Sequence, residues 1–224
     1  MTAAPFAKIY EAALTRHGKA GIEARLPQPK TAAALAKISD DRFLSDMSRR
    51  IFRAGLKHSL VDGKWPAFEE VFYHFDPRRI RAMSDEALEK LLGDARLIRH
   101  WGKLKSVRDN AAAMIEVSEE HRGFGRWLGA WPTTDIVGLW EALAKRFSQM
   151  GGNSGPSFLR MVGKDTFILT DSVVGGLKHW GATQKPPKNR GDRAAVQAVF
   201  NAWAKESGRP LCQISLVLAM SHED

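Results

Sequence analysis

One stretch of the sequence decides the fold: residues 144–163 read AKRFSQMGGNSGPSFLRMVG. A helix that runs to about Phe147 meets Gly151 and Gly152, which end it because glycine is unfavourable inside a helix. A new helix can begin near Pro156, since proline suits a first helical turn, where its missing N–H would be unpaired anyway. The stretch therefore predicts two helices joined by a tight, glycine-rich hairpin.

Such a hairpin offers a grip for a phosphate group. Glycine carries no Cβ, so the backbone can approach an anion closely, and the second helix presents unpaired amides and the positive end of its dipole. This geometry would hold a DNA backbone without reading its bases. The alternative is that the turn is only a connection between two helices. The candidate phosphate-binding residues are Gly151, Gly152, Asn153, Ser154, Gly155 and Lys164.

The composition is that of a globular protein with a basic surface. Its 224 residues are 44% hydrophobic and 26% charged, which excludes a disordered chain. Thirty-four Lys and Arg against 25 Asp and Glu leave a net charge of +9, so nucleic acid is the first partner to consider. The alternative is a basic protein that does not bind DNA.

Two classes of protein are disfavoured by what the sequence lacks. No apolar run is long enough to cross a bilayer and no secretory signal is recognisable, so a cytoplasmic protein is expected. Cys212 is the only cysteine, which excludes an internal disulfide and a cysteine-rich zinc site. We expect Cys212 to be a buried, inert residue on an apolar helix face.

The fold class predicted from the periodicity is all-α. Apolar residues recur at three- and four-residue spacing, for example at Phe43, Met47 and Ile51, and alternating β-branched runs are almost absent. The exception, Thr166–Thr170, is short and is predicted to be a connection. Glycine and proline clusters, which break helices, lie at 18–30, 61–66 and 183–193.

These breakers suggest how the chain is organised. We expect two helical lobes with a cleft between them. The predicted parts are an amino-terminal helix and linker over 1–30, a terminal lobe of 31–64 together with 171–224, and a helical lobe over 65–170 that contains the helix-hairpin-helix motif at about 140–163.

A second landmark follows the hairpin. Asp171 comes 19 residues after Gly152, in the stretch KDTFILTDSVV that begins at Lys164. Here the chain resembles the helix-hairpin-helix DNA glycosylase superfamily, in which an aspartate at the mouth of the base pocket follows the hairpin at a comparable distance. The resemblance implies that Asp171 is the catalytic residue. From the local sequence alone, Asp171 would only cap the helix over 172–179.

The stretch 43–116 narrows the resemblance to the branch around 3-methyladenine DNA glycosylase I. Its most specific matches are FDP at 75–77 and IRHWGK at 98–103, and the resemblance spans roughly 39–180. The zinc cluster of that branch needs cysteines that this chain lacks, so we expect no metal.

The base pocket implied by the resemblance departs from the branch at two positions. The branch has a carboxylate that reads the alkylated base four residues before its Ala-Gly-Leu, and this chain has Arg50 there. A positive side chain would repel a cationic methylated purine. A stacking tryptophan of the branch is replaced by His58. The alternative is that Arg50 belongs, with Arg49 and Arg53, to a solvated stripe that faces DNA.

The tryptophans supply a third candidate for the pocket, since glycosylases hold an extruded base between aromatic faces. Trp101 lies beside Arg99, His100 and Lys103 and is the best placed to contact DNA or base. Trp140 and Trp203 lie on apolar helix stripes and are expected in the core.

The resemblance implies a monofunctional DNA glycosylase of base excision repair. Such an enzyme hydrolyses the N-glycosidic bond of a damaged base, for example an alkylated one, flipped out of double-stranded DNA. Bifunctional relatives carry a lysine after the hairpin turn that residues 151–159 lack, so no lyase activity is expected. No cofactor is expected, although a monovalent cation at the hairpin stays open. We expect a monomer that associates with the nucleoid when it acts. No association with a membrane is expected.

Two rival interpretations stay open. One is a catalytically inactive helix-hairpin-helix protein that binds DNA without excising a base. The other is an all-α interaction protein unrelated to DNA, which would be favoured if the hairpin at 150–156 were buried under other helices.

Overall fold

A computed structural model describes residues 3–222, and within this range all regular structure is helical, which confirms the all-α prediction. None of the described helices is long and apolar enough to cross a lipid bilayer. The α-helices are α1 (Phe6–Glu23), α2 (Ala32–Ala36), α3 (Asp40–Arg53), α4 (His58–Val71), α5 (Pro77–Arg81), α6 (Asp85–Lys90), α7 (Trp101–His121), α8 (Phe124–Ala130), α9 (Ile136–Arg146), α10 (Ser154–Val162), α11 (Asp171–His179), α12 (Arg190–Ser207) and α13 (Leu211–Met220). Short 3-10 turns lie at Tyr73–Phe75, Leu91–Gly93 and Thr133–Asp135.

Two predicted breaks fall in the wrong place. Helix α1 continues to Glu23 through the first part of the predicted linker, and only Gly18, at φ 67°, interrupts its geometry. Helix α4 crosses 61–66 and includes Pro66, so the break after α3 lies at 54–57 instead. The reason is burial: Trp65 points into the core, and packing outweighs the local preference of glycine and proline.

The described residues form two compact units. Unit 1 contains the residues up to Lys30, Pro132–Leu139 and those from Gly163 onward. Unit 2 contains Thr31–Trp131 and Trp140–Val162. The predicted grouping of 31–64 with 171–224 differs from this division, because α3 packs against α4 and α7 within unit 2.

An aromatic cluster forms much of the core of unit 2. Trp65 stacks on Phe68 at 4.9 Å and on Phe75 at 5.4 Å between ring centroids, and Phe52 meets Phe68 edge-on at 4.6 Å. The Trp65 indole N–H donates to Ser45 Oγ at 3.0 Å, so its polar atom is satisfied inside the core. This cluster fixes the end of α3 against the start of α4, where two of the predicted site residues lie.

Unit 1 has its own core. Phe167 and Phe200 stack at 4.1 Å with both side chains fully buried, and the segment around Phe167 is a connection without regular structure, as predicted. Trp203 packs edge-on against Phe200, so its predicted core role is confirmed. Helices α11 and α13 approach closely at Gly176, where a Cβ would lie 2.9 Å from the Leu218 carbonyl oxygen.

Two further side chains have the burial that the sequence predicts. Cys212 is almost fully buried at the start of α13, where its amide N–H donates to the carboxylate of Asp165. Trp140 is also buried. Both are therefore packing residues.

Candidate functional site

The hairpin that joins α9 to α10 forms at 147–153, where the sequence predicts it. Gly152 has φ 57°, a left-handed conformation that favours glycine. Gly151, Gly152 and Asn153 are exposed, and neither glycine has another heavy atom within 4 Å of the point where a Cβ would stand. The buried hairpin that would favour the interaction-protein interpretation is therefore not found.

Free main-chain amides give this hairpin the features of an anion site. The N–H groups of Gly151 and Gly152 have no hydrogen-bond acceptor among residues 3–222. Ser154 begins α10, whose first turn contains no acidic residue. Main-chain N–H groups and the positive end of a helix dipole are the features that bind phosphates in proteins. Gly155 is buried, with its would-be Cβ 3.0 Å from the Met150 carbonyl oxygen, so it packs the turn.

Two polar side chains fix the hairpin to α7. The buried Asn110 side chain accepts from the Ser148 N–H at 2.7 Å and donates to the Ser148 carbonyl at 3.1 Å. Gln149 Nε2 donates to the Gly102 carbonyl at 2.8 Å. Sequence reasoning missed both contacts, because neither Asn110 nor Gln149 stands in a local pattern that shows a partner about 40 residues away.

A buried lysine ties the start of α7 to the end of α3. Lys103 Nζ donates to the Phe52 carbonyl at 3.3 Å and to the Ala54 carbonyl at 2.7 Å. Its side chain is mostly buried, and this burial lowers the pKa of the ammonium, with a further lowering from the charge of Arg50. Lys103 satisfies carbonyls that the helix end leaves unpaired, which stabilises the C-terminus of α3.

Three arginines lie at the end of α3, and only two have a carboxylate partner. Arg49 and Arg53 both donate to Asp62, at 2.9 Å and 2.6 Å. Arg50 makes no ion pair or hydrogen bond to the described residues, and its Nε is buried without a partner. Burial lowers the pKa of the Arg50 guanidinium, and the charge of Arg53 adds to this effect. The predicted stripe of three solvated arginines is thus not uniform.

The other two predicted pocket residues are exposed. His58 begins α4, and Trp101 begins α7 with 36% of its surface accessible, which is large for an indole. Exposed aromatic rings next to a basic surface can stack on bases. Leu56 and Leu60, on either side of His58, are also exposed.

Asp171 lies in unit 1 and is the first residue of α11. The cap of this helix is Thr170, whose side chain accepts from the Val173 N–H at 3.3 Å. The alternative role of Asp171 as the cap is therefore wrong. Asp171 is exposed and has no hydrogen bond or ion pair to the described residues, so its carboxylate is available. His222 Nε2 donates to the Ser172 carbonyl at 2.6 Å and holds the same turn.

Lys164 has little surface to offer a phosphate. Its side chain is 5% exposed, and burial lowers the pKa of its ammonium against the opposing charge of Asp165. The structure thus buries Lys164 inside unit 1, where its ammonium has little access to a phosphate.

Contacts within unit 2 link three of the predicted features: the hairpin, Trp101 and Arg50. Gln149 links the hairpin to Gly102, next to Trp101, and Lys103 links that helix start to Ala54 and, electrostatically, to Arg50. We call this surface the hairpin edge. It combines free main-chain amides, an exposed indole and an unpaired guanidinium.

Other parts of the molecule do not compete for this role. An open cavity of about 640 Å³ in unit 2 is lined by His74, Asp76 and Glu119 among others, and none of the predicted site residues lines it. Among residues 3–222 no group of three or more His, Cys, Asp or Glu side chains is arranged to hold a metal ion.

Comparison with known proteins places this geometry in a class. The helical fold matches solved DNA glycosylases: a crystal structure of 3-methyladenine DNA glycosylase I aligns with TM-score 0.51 and 26% identity over 63% of this chain and 85% of that one. The Methanocaldococcus jannaschii 8-oxoguanine glycosylase/lyase, solved with DNA, aligns with TM-score 0.52 and 16% identity over 95% and 94%. At that identity the second match shows the fold alone.

Sequence matches identify the family. The methyladenine glycosylase family model matches residues 35–149. DNA-3-methyladenine glycosylase 1 of Escherichia coli K12 is 35% identical over 142 residues, which cover 55% of this chain and 74% of that protein. The Haemophilus influenzae DNA-3-methyladenine glycosylase is 29% identical over 76 residues, 34% of this chain and 41% of that protein. The chain belongs to the methyladenine glycosylase family, and the predicted resemblance is confirmed.

Some of the candidate residues lie inside the stretch that matches the family model, and others lie after it. Arg50, His58 and Trp101 lie inside the matched stretch 35–149, whereas the glycines of the hairpin and Asp171 follow it. The roles of these residues are therefore argued from their own geometry.

Proposed function

We propose that this protein is a monofunctional DNA glycosylase of base excision repair, which hydrolyses the N-glycosidic bond of a damaged base, alkylated bases included. Family membership and the exposed hairpin with free glycine amides support this function. The observation that carries it is the hairpin itself, because free main-chain amides at an exposed glycine turn are suited to hold a phosphate backbone.

The hairpin anchors the phosphates beside the lesion. The N–H groups of Gly151 and Gly152 donate to phosphate oxygens, and the start of α10 at Ser154 adds its dipole. Asn153 is exposed between them and contributes a polar side chain. These contacts fix the register of the protein on the duplex and carry no base information.

Asp171 carries the hydrolysis. Base departure leaves positive charge on the sugar, and a carboxylate without an internal partner can stabilise that charge and orient or deprotonate the attacking water. The exposure of Asp171 and its lack of any bond to the described residues support this role. The base leaves, water adds to the sugar carbon, and an abasic site remains.

Strand cleavage is not part of the proposed reaction. A glycosylase that also nicks the strand uses a lysine amine to form a Schiff base with the sugar. Residues 151–159 contain no lysine, and the nearby Lys164 is buried. The product is therefore an intact strand with an abasic site.

The partner is double-stranded DNA that contains a damaged base, and the enzyme acts on it as a monomer. The net charge of +9 supports attraction to the polyanion. Binding should therefore weaken steeply as salt rises.

A release assay over duplexes with different modified bases tests the function. Wild type should free at least one base, whereas Asp171→Asn should bind the same duplex and free none. Binding without release by the wild type, over the whole panel, would replace the enzyme with an inactive DNA-binding protein. Nicking of the abasic product by pure protein would contradict the monofunctional assignment.

A further inference from the structure

The end of α3 contains a polar atom that the fold leaves unsatisfied. Arg50 Nε is buried and has no hydrogen-bond partner in the described part of the chain. A buried donor without an acceptor is costly, and such groups in native proteins are rare. The described residues therefore leave the Arg50 side chain without an acceptor.

The charges around Arg50 make this feature stronger. Arg49 and Arg53 already share the carboxylate of Asp62, and Arg53 and Lys103 lie within electrostatic range of Arg50 and repel it. The cluster thus holds four cations against one carboxylate. Partial burial reduces screening by solvent, so the local field is positive.

The position of the cluster is equally informative. Lys103 connects it to the start of α7, and Gln149 connects that start to the hairpin. Arg50 is therefore linked to the hairpin through Lys103 and the start of α7. Trp101, the first residue of α7, is exposed and offers a flat apolar face.

We propose that Arg50 determines substrate specificity by selecting an uncharged damaged base that presents carbonyl-type acceptors and by rejecting a base with a positive charge. The inference rests on the proposed glycosylase function and names its substrate class. A carbonyl oxygen on the base edge accepts from the guanidinium, which makes no ion pair or hydrogen bond to the described residues. A cationic base would be repelled by the positive side chains of the cluster, so it is more stable in water than in the site.

The chemistry of the guanidinium explains why a neutral acceptor suits this site. Arginine presents several N–H donors in one plane and donates to two acceptors of a base edge together. A good pair of this kind discriminates between bases by roughly 5- to 150-fold in kcat/KM.

The test uses duplexes with four lesions in the same sequence context. Two lesions carry a positive charge, 3-methyladenine and 7-methylguanine, and two are neutral, hypoxanthine and 8-oxoguanine. Each release rate is divided by the uncatalysed rate, because the cationic bases leave faster on their own. Wild type should favour the neutral pair by about fivefold or more. 7-Methylguanine and hypoxanthine each carry a single carbonyl, at C6, and differ in charge, so they give the most direct comparison.

Variants assign the preference to Arg50. Arg50→Glu should reverse the preference, so that cationic lesions are released faster than neutral ones, since a carboxylate attracts them. Arg50→Gln should release both kinds of lesion at similar rates. Arg42→Gln, on the same helix but outside the cluster and paired with Glu69, is the control that should keep the wild-type preference. Thermal unfolding and binding to abasic-site DNA show that each variant is folded.

The outcomes separate this inference from the function on which it rests. Release of cationic bases at least as well as neutral ones, or a preference that Arg50→Glu leaves unchanged, overturns the inference alone. Release of no base by wild type that still binds abasic-site DNA overturns both. If Arg50→Gln weakens binding to every duplex equally and lowers its salt dependence by about one phosphate contact, Arg50 holds the backbone and the inference is wrong.

Discussion

Helices α10 and α11 are both nine residues long, but their first turns treat charge in opposite ways. The first turn of α10 has no acidic residue and follows an exposed hairpin, whereas α11 begins with Asp171 behind the capping Thr170. A helix N-terminus carries partial positive charge. The first turn of α10 leaves that charge without a carboxylate of its own, and the first turn of α11 contains one. Under the proposed function, the same backbone feature serves binding at α10 and chemistry at α11.

The largest expected effect comes from removing the carboxylate at the start of α11. Asp171→Asn keeps the shape of the side chain and removes its charge, so base release should fall about a thousandfold. Single-turnover release measures the rate, and an electrophoretic shift measures binding, which should stay near the wild-type value. Asp192→Asn, in the first turn of α12, is the matched control. Equal activity of wild type and Asp171→Asn would remove Asp171 from the reaction.

A second variant makes the two helices alike. Ser154→Asp places a carboxylate in the first turn of α10, where it should raise the free energy of unfolding by about 0.3–1 kcal/mol. The same charge competes with phosphate, so affinity for duplex DNA should fall about tenfold at low salt. Ser84→Asp, at the start of α6, changes net charge equally and should leave affinity nearly unchanged. Tighter DNA binding by Ser154→Asp would exclude a phosphate at the hairpin.

A further test compares two glycine variants in the hairpin that precedes α10. Gly152→Ala must place a Cβ on a backbone with φ 57°, which costs about 1 kcal/mol of stability. Gly151 has equally open space and no positive φ, so Gly151→Ala should be neutral or slightly stabilising. Denaturant unfolding of both variants measures the difference. If they unfold alike, the left-handed turn contributes nothing to the stability of the hairpin.

The smallest effect concerns the cap of α11. Thr170→Ala removes the acceptor for the Val173 N–H and should cost about 0.5–1 kcal/mol. Because the first turn of α11 loses its fixed start, release should slow by a few fold while binding persists. Thr170→Ser, which keeps the hydroxyl, should restore both values. A variant Thr170→Ala as stable as wild type would show that the cap is dispensable.

The sequence predicts the hairpin well because its signals are local. Gly151 and Gly152 end one helix and Pro156 suits the start of the next, and the structure has the turn there. The same kind of reasoning fails at Gly63 and Pro66, which lie inside α4. Burial of Trp65 holds that helix together, and a local pattern does not show what a side chain packs against.

The site was predicted less completely than the fold, for the same reason. The sequence singles out Arg50 and Asp171 through resemblance, but it does not show that one lacks a partner or that Thr170 caps the helix of the other. Asn110 and Gln149 escaped notice because their partners are distant in the chain. Proposed roles for Gly155 and Lys164 overlooked burial, which depends on tertiary packing.

The paired hydrogen bonds between Asn110 and Ser148 have a consequence for how quickly the protein can find its target. They copy the pattern of two adjacent strands and fix the turn before any ligand arrives. Ordering a loop upon association slows capture and consumes binding free energy. Because this turn is ordered before binding, no loop has to fold when the protein meets DNA. Under the proposed function, the protein can therefore slide along undamaged duplex without refolding the hairpin at each new position.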